Sequence, residues 1–157
     1  MHLLDLLSPA RVRTEVPVSG KKRLLEVLAR VLADGAGGDS EAGIYDTLCS
    51  RERLGSTGLG HGVAIPHARS ARAKVATGAF VRLAEAVDFG APDGEPVDLV
   101  FALVVPEHFA QQHLLLLAGL AEMFGDAGFR DRLRKAPDPA ALLALLADWQ
   151  ATHEPVG

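Results

Sequence analysis

Apolar residues recur at helical spacing in four stretches of this chain and form short unbroken runs in three others. Leu24, Val27, Leu28 and Val31 share one face of a helix that Ser19 can cap and that the segment Gly35 to Gly38 ends. Ser40 opens a second helix through Ile44, Leu48 and Cys49, which delivers Arg51 to the start of a glycine-rich turn. A third begins near Phe109, with His113, Leu116, Leu117, Leu120 and Phe124 along one face. Asp138 followed by Pro139 starts a fourth, on which Leu142, Leu145, Leu146 and Trp149 align. Among the unbroken runs, Val63 to Ile65 is short enough to be only a strand, and Pro66 favours extended backbone at Ile65, so the strand should end at the Ile-Pro step. Thr77 to Leu83 reads as a second strand. Val97 to Val105 is interrupted only by Asp98, the mark of a central strand covered on both faces. Arg69 to Lys74 reads as a polar connector and Gly90 to Gly94 as a turn.

Such a central strand calls for helices on the two sides of a sheet. The expected fold is therefore α/β, a mixed central sheet of about five strands with helices on both faces. The chain has 157 residues, of which 48% are hydrophobic, and this fits a single domain spanning residues 1–157. Charges of both signs are interspersed to a net charge of -4, and Lys21-Lys22-Arg23 is a lone short basic cluster, so nucleic-acid binding gets no support. Cys49 stands alone, which rules out an internal disulfide and a cysteine pair for a metal, and suits a reducing cytoplasm. The segment MHLLDLLSPAR has a negative charge within its apolar run and no small-residue cleavage site, against a secretory signal. Charge or glycine interrupts every apolar stretch well before about 18 residues, so a soluble, cytoplasmic protein without membrane insertion is expected.

Candidate chemistry concentrates between Arg51 and Arg69, in RERLGSTGLGHGVAIPHAR. His67 is expected at the carboxyl end of a strand, where open α/β sheets place their ligands. Upstream, Gly55, Gly58, Gly60 and Gly62 let backbone N–H groups turn toward an anion, and Ser56 and Thr57 add hydroxyl donors. Arg51 brings a guanidinium, which grips phosphate oxygens in two-pronged fashion and keeps its proton. An imidazole with an ordinary pKa of about 6.5 is mostly neutral near pH 7, with a nitrogen lone pair ready to attack phosphorus. His113, at the amino-terminal edge of an apolar stripe after the central strand, would lean over His67 if their strands are neighbours.

These residues resemble a known family, the enzyme IIA components of the phosphoenolpyruvate-dependent phosphotransferase system, in its fructose/mannitol and nitrogen-regulatory branch. The likeness is carried by Arg51-Glu52, Leu54-Gly55-Ser56-Thr57-Gly58, Gly60, and Gly62-Val63-Ala64-Ile65-Pro66-His67. Asp93-Gly94, Pro106-Glu107 and His113-Leu114 extend it. The resemblance implies that His67 is the phosphorylated histidine, that a histidine phosphocarrier protein is the donor, and that His113 helps to hold the phosphoryl group. It also makes Arg51 the charge-stabilising arginine and suggests phosphorylation on the ring nitrogen remote from the backbone. Ser56, Thr57 and Gly58 are expected to bind the phosphoryl group. His61, a position at which nitrogen-regulatory members often carry asparagine, is given no shared role. No cofactor and no metal are implied.

The wording Arg-Glu-x-Leu-Gly-Ser-Thr-Gly leans toward the nitrogen-regulatory type, whose phosphorylation state controls partner proteins. Two other functions stay open: a sugar-specific enzyme IIA that passes the group to the IIB component of a fructose/mannitol-type permease, and a protein-binding module that is never phosphorylated. The structural alternatives are a core histidine at His67, a polar tip on a core helix at His113, a helix-end cation at Arg51, and turn or capping roles for Ser56 and Thr57. His2, His61, His108 and His153 read as solvated. Gly58, Gly60 and Gly62 lack the lysine and helix of a nucleotide loop, and a zinc site from His61, His67 and His113 would lack the usual ligand spacings.

Overall fold

A computed structural model describes residues 3–35 and 38–153. After short 3-10 turns at Leu3–Asp5 and Pro9–Arg11, the described residues form β1 (Val12–Val16), α1 (Lys21–Ala33) and α2 (Glu41–Arg53). Next come β2 (Gly58–Gly60), β3 (Val63–Ala64), β4 (His67–Ser70), β5 (Thr77–Val87) and β6 (Val97–Pro106). Three helices close the chain: α3 (Ala110–Phe124), α4 (Ala127–Lys135) and α5 (Pro139–His153).

The sheet runs β1-β5-β6-β3-β2, with β4 also paired to β6. It is mixed: β5 lies antiparallel to β6, while β3 and β4 run parallel to it. Since β5 takes one side of β6, β3 and β4 share the other as two pieces of one interrupted rail. Ala64 stands beside Val100, and His67 beside Leu103. Pro66 makes the interruption; it has no N–H to give, but its carbonyl accepts from Leu103 N at 3.0 Å and keeps the rail in register.

Strand alternation sorts β5 and β6 onto two cores. Ala79, Val81, Val100, Ala102 and Val104 face Leu24, Leu28, Ile44 and Leu48 of α1 and α2. Phe80, Leu99 and Phe101 face Leu120, Phe124, Phe129, Leu142 and Leu146 of α3, α4 and α5. From Leu99 to Val105 every residue of β6 is fully buried, as expected of a strand covered on both faces.

Several sequence expectations are corrected. Ser19 does not cap α1; Gly20 occupies that place without a side-chain bond, and the helix ends at Ala33. The segment expected to end it includes Ala36 and Gly37, which lie outside the described residues. Arg69 and Ser70 belong to β4 rather than to a polar connector. Residues 12–16 and 127–135 carry elements that the periodicity did not disclose. β1 is an edge strand with one fully buried residue, Val12, and α4 buries only Phe129 and Leu133. By contrast, Ser40 does cap α2, its side chain accepting from Gly43 N, and Asp138 accepts from Ala141 N at the start of α5.

Candidate active site

The glycine-rich turn is built around a buried carboxylate. Glu52, in the last turn of α2, is 9% exposed. One of its oxygens accepts from Lys21 Nζ at 2.9 Å and from Thr57 N at 3.2 Å; the other takes a short hydrogen bond from the Thr57 hydroxyl. Ser56 Oγ donates to the Phe89 carbonyl and accepts from Gly58 N, both at 3.0 Å. The two hydroxyls and the N–H groups of Thr57 and Gly58 are therefore engaged inside the turn, which fits the turn-forming alternative for the two hydroxyls better than a grip on an anion.

From this turn the chain enters the β2–β3 hairpin, whose tip Gly60-His61-Gly62 has φ of 90°, 57° and 78°. Asp93 Oδ2 accepts from His61 N at 2.8 Å, which holds its carboxyl below the usual range. Arg134 spans the tip, donating to the His61 carbonyl at 2.6 Å and to both oxygens of Asp98. A side chain at Gly62 would collide with Arg134 and Asp98. The returning strand then ties Ile65 N to the Thr57 carbonyl at 3.0 Å.

His67 follows at the amino-terminal end of β4, not at the carboxyl end of a strand as its sequence context suggested. Its register partner is Leu103, so its ring projects on the face covered by α3. His67 Nδ1 lies 2.8 Å from the Ile65 carbonyl. A carbonyl can only accept, so Nδ1 carries the proton and the neutral ring presents its lone pair on Nε2. Burial, the largest influence, lowers the His67 pKa and Arg51 adds to the effect, against opposing pulls from the Ile65 carbonyl and Glu52. The ring is thus neutral at pH 7.

His113 sits on the first turn of α3 and is 6% exposed. Its ring centroid is 5.0 Å from that of His67, at an interplanar angle of 53°. Burial first, then the neighbouring His67, Arg69 and Arg51, push its pKa down to about 4. Its Nδ1 is buried without a hydrogen-bond partner, which favours the tautomer with the proton on Nε2, because an orphaned N–H costs more than an unused lone pair. Arg51 Nη1 donates to the Gly55 carbonyl at 2.8 Å, and its charge acts on both histidines.

The site gathers His67, His113 and Arg51 and leaves the other described histidines aside. His61 is exposed at the hairpin tip, His108 packs edge-on against Phe109 and His153 stacks on Trp149, while His2 lies outside the described residues. Among the described residues no group of three or more histidine, cysteine or acidic side chains is placed to hold a metal ion. Sequence reasoning missed the anchoring role of Glu52, although an acidic residue in the last turn of a helix, where the dipole disfavours it, is a signal that it has another partner. It also missed Leu54, Leu114 and Leu115, which are 84%, 67% and 67% exposed beside Arg51 and His113. No described helix is long and apolar enough to cross a membrane.

Comparison with known proteins agrees with this architecture. Residues 5–149 match the family described as "Phosphoenolpyruvate-dependent sugar phosphotransferase system, EIIA 2". A nitrogen regulatory protein of Pseudomonas aeruginosa is 43% identical over 150 residues, covering 96% of this chain and 97% of the relative. One from Bradyrhizobium diazoefficiens is 38% identical over 152 residues, covering 97% of this chain and 99% of its own. The crystal structure of nitrogen regulatory protein IIA-Ntr from Neisseria meningitidis superimposes with a TM-score of 0.84 at 42% identity, over 90% of this chain and 97% of that one.

Proposed function

The chain belongs to the phosphoenolpyruvate-dependent sugar phosphotransferase system EIIA 2 family, on its nitrogen-regulatory side, and we propose that it carries its phosphoryl group on His67 Nε2. The observation that carries this reading is the hydrogen bond from His67 Nδ1 to the Ile65 carbonyl, which turns the nucleophilic nitrogen outward.

The reaction is an in-line exchange between two imidazoles. A phosphocarrier protein brings a phosphohistidine, its ring protonated on the other nitrogen. The lone pair of His67 Nε2 forms a new N–P bond as the donor's N–P bond breaks, and the donor leaves as a neutral imidazole. His67, still protonated on Nδ1, becomes the phosphorylated imidazolium, and the Ile65 carbonyl stabilises that charge. The loose transition state spreads negative charge over three oxygens, so positioned donors do most of the work. The Nε2–H of His113 and the Arg51 guanidinium are the donors assigned here. Ser56, Thr57 and Gly58 shape the turn, with both hydroxyls and the N–H groups of Thr57 and Gly58 engaged inside it.

Leu54, Leu114 and Leu115, exposed apolar side chains near Arg51 and His113 in sequence, are the contacts proposed for the docking carrier. The phosphorylated and free forms then differ by a dianion at His67, a change that a regulatory partner protein senses. A cytoplasmic location goes with exchange of this kind.

Incubation with phosphoenolpyruvate, enzyme I and the phosphocarrier protein tests the reading by intact mass. One acid-labile phosphoryl group is expected, absent in His67→Ala. No addition from a competent carrier of the same organism would refute it.

A further inference from the structure

We propose that Glu52 is the positioning residue for His67, acting through the main chain of Thr57 and Ile65. The inference rests on the proposed carrier role of His67, and its geometry is a continuous relay. Thr57 N–H donates to Glu52 Oε1 at 3.2 Å; the Thr57 carbonyl accepts from Ile65 N at 3.0 Å; the Ile65 carbonyl accepts from His67 Nδ1 at 2.8 Å. Within Thr57 and within Ile65 the N–H and the carbonyl belong to different peptide groups separated by a tetrahedral Cα, so the links fix position, while the negative charge of Glu52 reaches His67 through space.

Only a carboxylate suits this place. The groups around it are the Lys21 ammonium, the Thr57 N–H and the Thr57 hydroxyl, and an ionised acid accepts from all three at once. Lys21 is itself held, donating to the Phe89 carbonyl at 3.2 Å with its ammonium 4.3 Å above the Phe89 ring. Ser56 Oγ shares that carbonyl. The first turn of α1, the last turn of α2 and the loop at Phe89 are thereby fastened to one carboxylate, and His67 is held by the strand that leaves it.

The consequence for chemistry lies in the charge that develops on transfer. His67 ends as an imidazolium held at Nδ1 by the Ile65 carbonyl, and the charge of Glu52, acting through space, stabilises that ring further. The same relay keeps the proton on Nδ1 beforehand. Glu52 also raises the basicity of His67, against the pull of burial and Arg51.

Two variants of the whole chain test this, read by nitrogen-proton correlation of the His67 ring and by the rate of phosphorylation from the carrier. Glu52→Gln keeps the volume and removes the charge. Its His67 titration midpoint should fall, the share of the Nδ1–H tautomer should drop, and phosphorylation should slow about tenfold. Lys21→Met, at a partly exposed position, removes the counter-ion and leaves the carboxylate, so the midpoint should rise. A folded Glu52→Gln whose ring signals match the wild type overturns the proposal even if its rate falls, because Glu52 would then act on the turn alone. Should Glu52→Gln fail to fold, Lys21→Met decides, and an unmoved midpoint overturns the relay. A wild-type protein that takes no phosphoryl group refutes the carrier role, while the ring signals still report on the relay.

Discussion

His67 and His113 face each other with ring centroids 5.0 Å apart, yet only His67 has a partner for its Nδ1. In the proposed transfer that asymmetry divides their work. His67 is held by a carbonyl that leaves Nε2 as a lone pair, while the buried, unpartnered Nδ1 of His113 leaves Nε2 as a donor. Two neutral rings of opposite tautomer therefore present one nucleophile and one hydrogen-bond donor to the same space.

Replacing His113 with alanine should slow phosphorylation of His67 about a hundredfold, the usual loss when one transition-state donor is removed. His113→Gln, which retains an N–H, should recover part of that rate. Time courses of intact mass at fixed carrier concentration measure both. A rate unaffected by either change would show that His113 only fills space.

Stability should fall with pH because of His113. Above pH 6.5 the ring is neutral in both folded and unfolded chains and contributes no pH dependence. Between about 6.5 and about 4 the unfolded chain takes up a proton that the folded site refuses, so stability declines through that window and levels off below it. The loss reaches about 3 kcal/mol for a shift of this size. Chemical denaturation across the window should show a steeper decline for the wild type than for His113→Gln, and equal slopes would contradict the assigned burial of the ring.

Arg82 should be the most costly surface-distant charge to remove. It is 8% exposed and donates to the carbonyls of Leu133 and Ala136 at 2.9 and 2.7 Å, closing the end of α4. Arg82→Met leaves those acceptors buried and unpaired, and a loss of about 3 kcal/mol is expected in denaturant unfolding. A loss under about 0.5 kcal/mol, the level of ordinary surface changes, would mean that α4 is held by Phe129 and Leu133 alone.

Leu114→Ser should weaken the carrier rather than the fold. The side chain is 67% exposed next to His113, so its removal costs little core. The carrier concentration for half-maximal phosphorylation should rise about tenfold, as for a well-placed interface residue, with the saturating rate and the melting temperature unchanged. An unchanged concentration dependence would place docking elsewhere.

The sequence by itself determined what depends on neighbours along the chain. The caps at Ser40 and Asp138, the unbroken burial of β6 and the extended Ile65-Pro66 step all follow from residues within a few positions. So does the family, because its Ser-Thr-Gly and Ala-Ile-Pro-His segments are contiguous. Where the local signal was faint, as in β1 with one fully buried residue and α4 with two, periodicity gave no hint, since edge strands and short helices owe their form to what they pack on.

Only the tertiary structure decided which groups meet. The parallel register of β4 on β6 sets His67 beside Leu103, and the helix that follows β6 returns His113 over it. The same structure ties the hydroxyls of Ser56 and Thr57 into the turn, and revealed Glu52 as its anchor. Hydrogen bonds between residues distant in sequence depend on strand register and helix placement. These are settled when two cores close on one sheet, and no window of sequence contains them.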